Sequence, residues 1–290
     1  TVKKLTDGLD QMSRARKVRV LNGVAKFISP HRLEIAMSDQ SIQRIAFKKC
    51  IIATGSSAVK LSVFPEDRRI VTSTGALRLE SIPKRMLIVG AGIIGLEMAT
   101  VYSALGAKVD LVERLPHILA GVDREAVKIW QSRNAHRFEH IDLNAAVVSA
   151  RAETDGVTVD IDGATKVTRS YDLVLQSTGR SPNSSGLGLE TIGVEQDPKG
   201  FIVVNDRMQT NVPHIFAIGD VAGAPMLAHK AVHEGHIAAE VASGLKTSFD
   251  ARIVPNVAYT SPEIAWVGAM EHGATVVSAP RLVSAKFPWA

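Results

Sequence analysis

The sequence has almost no cysteine and no long apolar run. Its single cysteine, Cys50, excludes an intramolecular disulfide and any metal site built from several cysteines. No stretch approaches the roughly 18 consecutive apolar residues that a membrane helix needs, so we expect no membrane association. Because scarce cysteine is compatible with a reducing compartment, we expect a cytoplasmic protein.

Acidic residues are scarce in the first part of the chain. Residues 1–85 hold 17 Lys and Arg against 7 Asp and Glu, whereas residues 86–290 hold 17 against 22. A basic segment can indicate nucleic-acid binding, but these charges are scattered, and the aromatic residues do not interleave with them to form a base-stacking surface. We therefore expect no nucleic-acid partner, and we interpret the basic residues as a solvated surface or one suited to an acidic partner.

Short apolar strands alternate with helices in the middle of the chain. Apolar strands are predicted at 86–89 and 108–112, and helices at 96–105 and 123–134. Asp123 is a typical N-cap residue for the second helix. This alternation predicts a parallel sheet with crossover helices over residues 86–180.

The segments on either side of this region have different apolar patterns. Residues 16–54 alternate between apolar and polar positions, which predicts strands, and Asn22-Gly23 predicts a hairpin turn between two of them. A strand at 215–218 followed by a helix at 228–243 repeats the α/β pattern. Strand-like sequence returns after residue 250.

A glycine-rich turn, G-x-G-x-x-G at residues 90–95, lies between the predicted strand and helix, and Glu113 ends the next strand. In this context Gly90 allows the tight turn, Gly92 lets the backbone approach a pyrophosphate, and Gly95 permits close packing of helix on strand. The positive end of the helix dipole offsets phosphate charge. A carboxylate at Glu113 accepts hydrogen bonds from ribose hydroxyls and repels a 2′-phosphate, which favours NAD over NADP.

Several segments resemble the motifs of the flavoprotein disulfide reductase family. They are similar to its NAD-binding stretch, its two ATG-type motifs and its second FAD-contact motif, at 89–97, 51–56, 176–183 and 215–220. Further segments resemble the dihydrolipoyl dehydrogenase branch of that family, at 225–231, 233–235, 259–263 and 266–268. The resemblance runs essentially from end to end.

The resemblance implies an α/β fold in which a Rossmann-like NAD-binding domain is inserted in a second, incomplete Rossmann-like FAD-binding domain. The implied domains are a partial FAD-binding domain, the NAD-binding domain, the second part of the FAD-binding domain and the start of an α+β interface domain, at 1–85, 86–205, 206–250 and 251–290. The family also has an N-terminal FAD-binding glycine motif, a C-x4-C redox disulfide and a C-terminal catalytic His held by Glu. Since the sequence shows none of these, the resemblance implies a chain that lacks both ends of the enzyme.

The resemblance also implies the cofactor contacts. NAD contacts are implied at Gly90, Gly92, Ile93, Ile94, Gly95, Glu97, Glu113, Val147 and Gly179. FAD contacts are implied at Ala25, Thr54, Gly55, Ser56, Asp220, Met226, Leu227, Ala228 and His229. No catalytic residue and no metal ligand is implied within the 290 residues.

The implied activity is transfer of electrons from dihydrolipoamide through a redox disulfide and FAD to NAD. The implied partners are dihydrolipoamide or a lipoyl domain, a 2-oxo acid dehydrogenase complex, and a second copy in a homodimer. Two alternatives stay open, namely an isolated NAD-binding module without catalysis and another disulfide reductase such as mercuric reductase.

Two other constellations receive simpler interpretations. His229, His233 and His236 share one face of the predicted helix beside Glu234, which permits a metal site. Their order is H-E-x-H rather than H-E-x-x-H, so we expect packing instead. Cys50 precedes an apolar strand, where a buried thiol is usually inert.

Overall fold

The computed structural model describes residues 2–268 and 285–287. Its helices α1 to α6 span Val2–Ala15, Ser73–Ala76, Ile93–Ala104, Arg124–Asn134, Leu189–Ile192 and Ala228–Ala242. Strands β1 to β9 span Gly23–Ser29, Arg32–Met37, Ile42–Ala46, Cys50–Ile52, Ser56–Ala58, Ile70–Thr72, Arg85–Val89, Lys108–Glu113 and Phe138–Leu143. Strands β10 to β17 span Ala146–Glu153, Gly156–Asp162, Val167–Tyr171, Leu173–Gln176, Arg180–Pro182, Ile215–Ala217, Asn256–Ala258 and Ile264–Trp266.

The chain divides into two compact units. The first unit consists of residues 1–55 and 182–250, and the second consists of residues 56–181 and 251–290. The stretch 56–181 is therefore inserted between two parts of the first unit. No helix among the described residues is both long and apolar enough to cross a membrane.

A five-stranded parallel sheet forms the centre of the second unit, in the order β6-β13-β7-β8-β9. Met86, Leu87 and Ile88 of β7 are fully buried, as expected for a strand covered on both faces. Helix α3 joins β7 to β8, and helix α4 lies between β8 and β9. The parallel α/β arrangement predicted from the alternating pattern is confirmed.

Two smaller sheets of the second unit pack in the same apolar clusters as the parallel sheet. Strands β10, β11 and β12 form an antiparallel sheet whose buried Val157 and Val159 pack in one apolar cluster with Leu87 of β7. Strands β16 and β17 pair antiparallel, and their Ala258 and Ile264 join the core on the other side of the parallel sheet. This pair belongs to the segment 251–290 that the sequence assigns to an interface domain; residues 269–284 and 288–290 of that segment lie outside the described residues.

The first unit is built on the parallel pair β4 and β15 and the antiparallel sheet β1-β2-β3. Its core contains Phe27, Ile52, Ile215 and Ala217, all at most 5% exposed. Helix α6 packs its buried Ile237, with neighbouring apolar residues, in a separate cluster. These elements arise from alternating or continuous apolar patterns that the sequence shows.

The predicted hairpin at Asn22-Gly23 is wrong. Strand β1 begins at Gly23 and pairs with β2 through a turn at residues 30–31, whereas residues 17–22 form no strand. The preceding stretch Val2–Ala15 is a helix instead of an unassigned segment. Asn-Gly favours a hairpin only when apolar strands flank it on both sides, and here one flank follows a helix end.

The unit boundaries also differ from the domain limits expected from sequence. Strand β6 pairs with β13, with Ile70 opposite Val174, so residues 56–85 belong to the second unit. The backbone N–H of Ile202 donates to the carbonyl of Val221 at 2.9 Å, within the first unit. The limits at residues 85 and 205 were implied by the motif resemblance, and long-range strand pairing leaves no local signal in the sequence that would move them.

Candidate functional site

The glycine-rich turn lies at the carboxyl end of β7, where it leads into α3. Gly92 is the N-cap residue of α3 and has extended backbone angles, with φ −76° and ψ −172°. Ile93, Ile94 and Gly95 form the first helical turn, where the N–H groups have no partner within the helix. This arrangement presents hydrogen-bond donors and the positive end of the helix dipole to an anion.

The three glycines of the turn are required for different reasons. A Cβ on Gly90 would lie 2.6 Å from the carbonyl oxygen of Ser177, and a Cβ on Gly95 would lie 2.1 Å from the carbonyl oxygen of Gly90. Gly90 also has φ +102°, which disfavours a side chain. A Cβ on Gly92 would meet no heavy atom within 4 Å. The protein's own packing therefore explains two of the glycines, while the third faces open space at the helix N-terminus.

Glu113 holds the glycine-rich turn directly. Its Oε2 accepts the backbone N–H of Ala91 at 2.7 Å, and its Oε1 accepts the N–H of Leu115 at 2.8 Å. Gly90 N–H donates to the carbonyl of Val112 at 2.8 Å. The carboxylate is thus fixed beside the turn at the carboxyl edge of the sheet, where a ribose would accompany a pyrophosphate on the helix.

Two other predicted NAD contacts, Gly179 and Val147, lie on strands or loops connected to this edge of the sheet. Gly179 follows β13 with φ +149°, and its carbonyl accepts the N–H of Val59 at 3.1 Å. Val147 lies in β10, and the start of that strand is connected to Glu113 because Ala145 N–H donates to the Glu113 carbonyl at 3.0 Å.

Glu97 is engaged within the protein. It lies on the second turn of α3, and its Oε1 accepts the backbone N–H of Tyr259 at 2.9 Å. This bond connects α3 to the segment that carries β16, so the structure gives Glu97 a role in holding that segment.

In the first unit, two loops leave neighbouring parallel strands at the same edge. Thr54 and Gly55 follow β4, and Asp220 follows β15. The Thr54 hydroxyl donates to the carbonyl of Asn183 at 2.7 Å, and the Asn183 side-chain amide donates to the carbonyl of Thr54 at 2.9 Å. Since ligands of parallel sheets bind at the carboxyl ends of strands, this edge is the natural ligand site of the unit.

A buried ion pair supports the Asp220 loop, a role that its pattern in the sequence does not predict. Lys230 and Glu234 lie one turn apart on α6, and Glu234 accepts the N–H of Gly219. The only signal in the sequence is a Lys and a Glu at spacing i, i+4, which is common on exposed helix faces. What distinguishes Lys230 and Glu234 from such exposed pairs is that both are buried, which local sequence does not reveal.

The remaining predicted FAD contacts occupy three places. Met226 and Leu227 lead into α6, where Leu227 is the N-cap residue, and Ala228 and His229 begin the helix. Ala25 is in β1, in the separate antiparallel sheet.

Ser56 begins β5 in the second unit. Its hydroxyl accepts a hydrogen bond from Arg180 Nε at 2.7 Å, and its carbonyl accepts one from Arg180 Nη2 at 2.6 Å. The Ser56 side chain is therefore engaged by the protein itself.

Cys50 is half-buried in β4, whereas His229, His233 and His236 lie on the exposed face of α6 and not in the core. Burial raises the pKa of the Cys50 thiol to about 11, so the thiol is protonated at neutral pH. The His233 ring packs edge-on against Phe249, with ring centroids 5.0 Å apart. Within residues 2–268 and 285–287, no group of three or more His, Cys, Asp or Glu side chains is placed to hold a metal ion.

Comparison with known proteins identifies the family. A family model described as pyridine nucleotide-disulphide oxidoreductase matches residues 1–235. The chain therefore belongs to this family. The resemblance to flavoprotein disulfide reductases read from the motifs is confirmed.

The chain is similar along its length to curated dihydrolipoyl dehydrogenases. The chain is 46% identical to the dihydrolipoyl dehydrogenase of Vibrio cholerae over 292 aligned residues, which cover 100% of this chain and 61% of the relative. It is 40% identical to the mitochondrial dihydrolipoyl dehydrogenase of Caenorhabditis elegans, covering 93% of this chain and 56% of the relative. The chain thus spans about three-fifths of the length of the curated relatives it matches.

Solved structures agree with the fold. The chain superposes with a TM-score of 0.82 on LpdA from Mycobacterium tuberculosis, at 27% identity and over 91% of this chain and 59% of that one. It superposes with a TM-score of 0.80 on the HOCl-induced flavoprotein disulfide reductase RclA from Escherichia coli, also at 27% identity, over 87% and 57% of the two chains. The α/β fold with Rossmann-like parallel sheets is confirmed.

Proposed function

We propose that these 290 residues are the NAD-binding part, and a portion of the FAD-binding part, of a dihydrolipoyl dehydrogenase. The observation that carries the proposal is the open space at Gly92, since packing explains the glycines at 90 and 95 but not this one. A pyrophosphate needs that space to approach the N–H groups at the start of α3. The similarity to the Vibrio cholerae enzyme supports the choice of activity.

We assign the NAD contacts to the turn and its neighbours. The backbone of Gly92, Ile93 and Ile94 binds the pyrophosphate. The carboxylate of Glu113, held by Ala91 N–H at 2.7 Å, accepts hydrogen bonds from the ribose hydroxyls through its remaining lone pairs. Its negative charge repels a 2′-phosphate, so the proposed nucleotide is NAD. Glu97, Val147 and Gly179 complete the proposed contacts.

We assign the FAD contacts to the edge of β4 and β15. Gly55 and Gly219 have φ values of +69° and +71° there, which lets the backbone turn sharply after each strand. Asp220, between Gly219 and Val221 in a short 3-10 turn, accepts a hydroxyl of the ribityl chain. The residues present fit part of a flavin site.

Bound together, nicotinamide and flavin supply hydride transfer between their rings. The contribution of this chain is to hold the two groups. The disulfide that exchanges with dihydrolipoamide requires two cysteines, and the 290 residues contain one. We therefore assign the redox disulfide to residues outside the 290. We assign the catalytic His there as well, because none of the nine histidines lies in a motif that resembles the family's C-terminal His and Glu.

The finer assignments follow the curated relatives. We propose dihydrolipoamide or a lipoyl domain as the substrate, a 2-oxo acid dehydrogenase complex as the assembly, a homodimer as the oligomeric state and the cytoplasm as the location. The enzyme name of the relatives supports dihydrolipoamide as the substrate, and the other assignments rest on the motif resemblance.

The proposal is tested by titrating the purified chain with NADH and with FAD, following NADH fluorescence and flavin quenching. We expect both ligands to bind, with weaker affinity for FAD. A chain that binds NADH and leaves FAD free supports the alternative of an NAD-binding module, which the five-stranded parallel sheet of the second unit favours. A chain that binds neither contradicts both.

A further inference from the structure

Helix α6 carries a buried pair of opposite charges. Lys230 and Glu234 are each 6% exposed, and Lys230 Nζ lies 2.7 Å from Glu234 Oε1. Taking two charges out of water is unfavourable, and their mutual attraction offsets this only with good geometry and further hydrogen bonds. The third partner here is the backbone N–H of Gly219, which donates to Glu234 Oε2 at 2.7 Å.

Gly219 begins the turn that carries Asp220. Its φ of +71° lies in the left-handed region, and a Cβ at this position would lie 3.2 Å from the Cβ of Ala231. The N–H of Ala222 donates to the Gly219 carbonyl at 3.0 Å, which closes the turn on its far side. The conformation of Asp220 is thus set by a residue that α6 holds through one carboxylate.

We propose that Glu234 is a positioning residue for the flavin site: its side-chain oxygen accepts the N–H of Gly219 and so aims Asp220 at the ribityl chain. Lys230 donates to the other oxygen of the same side chain at 2.7 Å, which fixes its orientation toward Gly219. The proposal rests on the proposed function, which assigns Asp220 to FAD. It adds a buried residue pair on α6, Lys230 and Glu234, on which the affinity for FAD depends.

Two double variants of the full 290-residue chain separate positioning from packing. Lys230→Met with Glu234→Gln removes both charges and keeps an oxygen that accepts the Gly219 N–H. Lys230→Met with Glu234→Leu removes the charges and the acceptor, with a side chain of similar size. Glu240→Gln makes the same amide substitution elsewhere on the same helix, at a half-buried residue, and serves as control.

We measure the Kd for FAD by flavin quenching and the hydrogen exchange of the 215–222 backbone without ligand. The Leu variant is expected to raise the Kd about tenfold and to speed exchange at Gly219, since one buried hydrogen bond is lost. The Gln variant and the Glu240→Gln control are expected to stay within about threefold of the parent Kd. Equal Kd values in the folded Gln and Leu variants overturn the proposal.

The outcomes separate this inference from the proposed function. A parent chain that binds no FAD contradicts the proposed function and removes the role of Glu234 toward flavin. Exchange at Gly219 still decides whether Glu234 holds the turn. If the Leu variant does not fold, exchange in the parent decides: a Gly219 amide that exchanges as fast as an exposed loop amide overturns the proposal.

Discussion

At the scale of single residues, the glycine-rich turn shows how a protein can leave space for a ligand. Gly90 and Gly95 are fixed by contacts of 2.6 and 2.1 Å that a Cβ would make with backbone oxygens. Gly92 has an ordinary negative φ of −76°, so a side chain there is not strained by the backbone. The cost of a side chain at Gly92 therefore falls on binding far more than on folding.

Replacing Gly92 by Val tests this distinction. We expect NADH binding to be lost, because the side chain would occupy the space that the pyrophosphate needs. The free energy of unfolding should fall by only about 1 kcal/mol, since Val is a poorer N-cap residue than Gly. NADH titration and urea unfolding measure the two effects. Gly8→Val, which also adds a side chain in open space, is the control, and a Gly92→Val chain that folds and binds NADH like the parent contradicts the assignment.

The Glu113 carboxylate has two tasks, and a ratio of affinities separates them. Glu113→Ala removes the acceptor of the Ala91 N–H as well as the proposed ribose contact, so it weakens binding of both NADH and NADPH. Only the ribose contact distinguishes the two nucleotides. We expect the preference for NADH over NADPH to fall by roughly 1–3 kcal/mol, the range for hydrogen bonds to a charged group.

The measurement for Glu113 is a pair of fluorescence titrations, with Glu153→Ala in the antiparallel sheet as control. An unchanged preference, with both affinities reduced equally, would assign Glu113 to the turn alone. That result would leave NAD selection to other groups at the sheet edge.

At the scale of elements, the N-terminus of α4 carries a local sequence signal that is sufficient to predict where the helix begins. Asp123 is the N-cap residue, and its side chain accepts the N–H of Glu125 at 2.9 Å. We expect Asp123→Ala to lower the free energy of unfolding by about 1 kcal/mol, within a range of roughly 0.5–2 kcal/mol. Asp123→Asn should remain close to the parent, because Asn caps as well. Urea unfolding compares the two, and equal losses would show that the cap bond does not contribute.

The elements that the sequence predicted well are those with local signals of this kind. Strand β8 was expected at 108–112 and spans Lys108–Glu113, because its apolar run ends at a charged residue. Helix α1 was missed although Val2, Leu5, Leu9 and Met12 follow a helical spacing, and all four are at least 50% exposed. This helix has no buried residue. The apolar spacing of its sequence therefore does not correspond to a face packed in the core, which is what such spacing usually indicates.

The candidate site likewise has one part that local sequence predicts and one part that it does not. The turn at 90–95 and Glu113 could be predicted because a strand, a turn and a helix follow each other within about 25 residues. The hydrogen bond from Gly219 to Glu234 spans 15 residues and depends on how α6 packs. The pairing of β6 with β13 spans more than 100 residues. Both depend on tertiary packing, which periodicity in one segment does not report.

At the scale of the whole molecule, the cysteine content limits the chemistry of these 290 residues. Exchange with a dithiol proceeds by attack of a thiolate on a disulfide sulfur. Cys50 is the one cysteine in the sequence, and burial raises its pKa to about 11. Cys50 therefore has no partner for a disulfide within these 290 residues, and its thiol is protonated at neutral pH.

We accordingly expect the chain, supplied with FAD, NAD and dihydrolipoamide, to form no NADH in steady state. Absorbance of NADH follows the reaction, with the full-length Vibrio cholerae relative as positive control and Cys50→Ser as the matched variant. Reduction of an artificial acceptor by NADH in the presence of FAD tests the remaining half of the chemistry, because it needs only the two nucleotide sites and no thiol. Turnover of dihydrolipoamide that exceeds the Cys50→Ser variant would place the exchange at Cys50 and contradict the assignment of the redox disulfide to residues outside the 290.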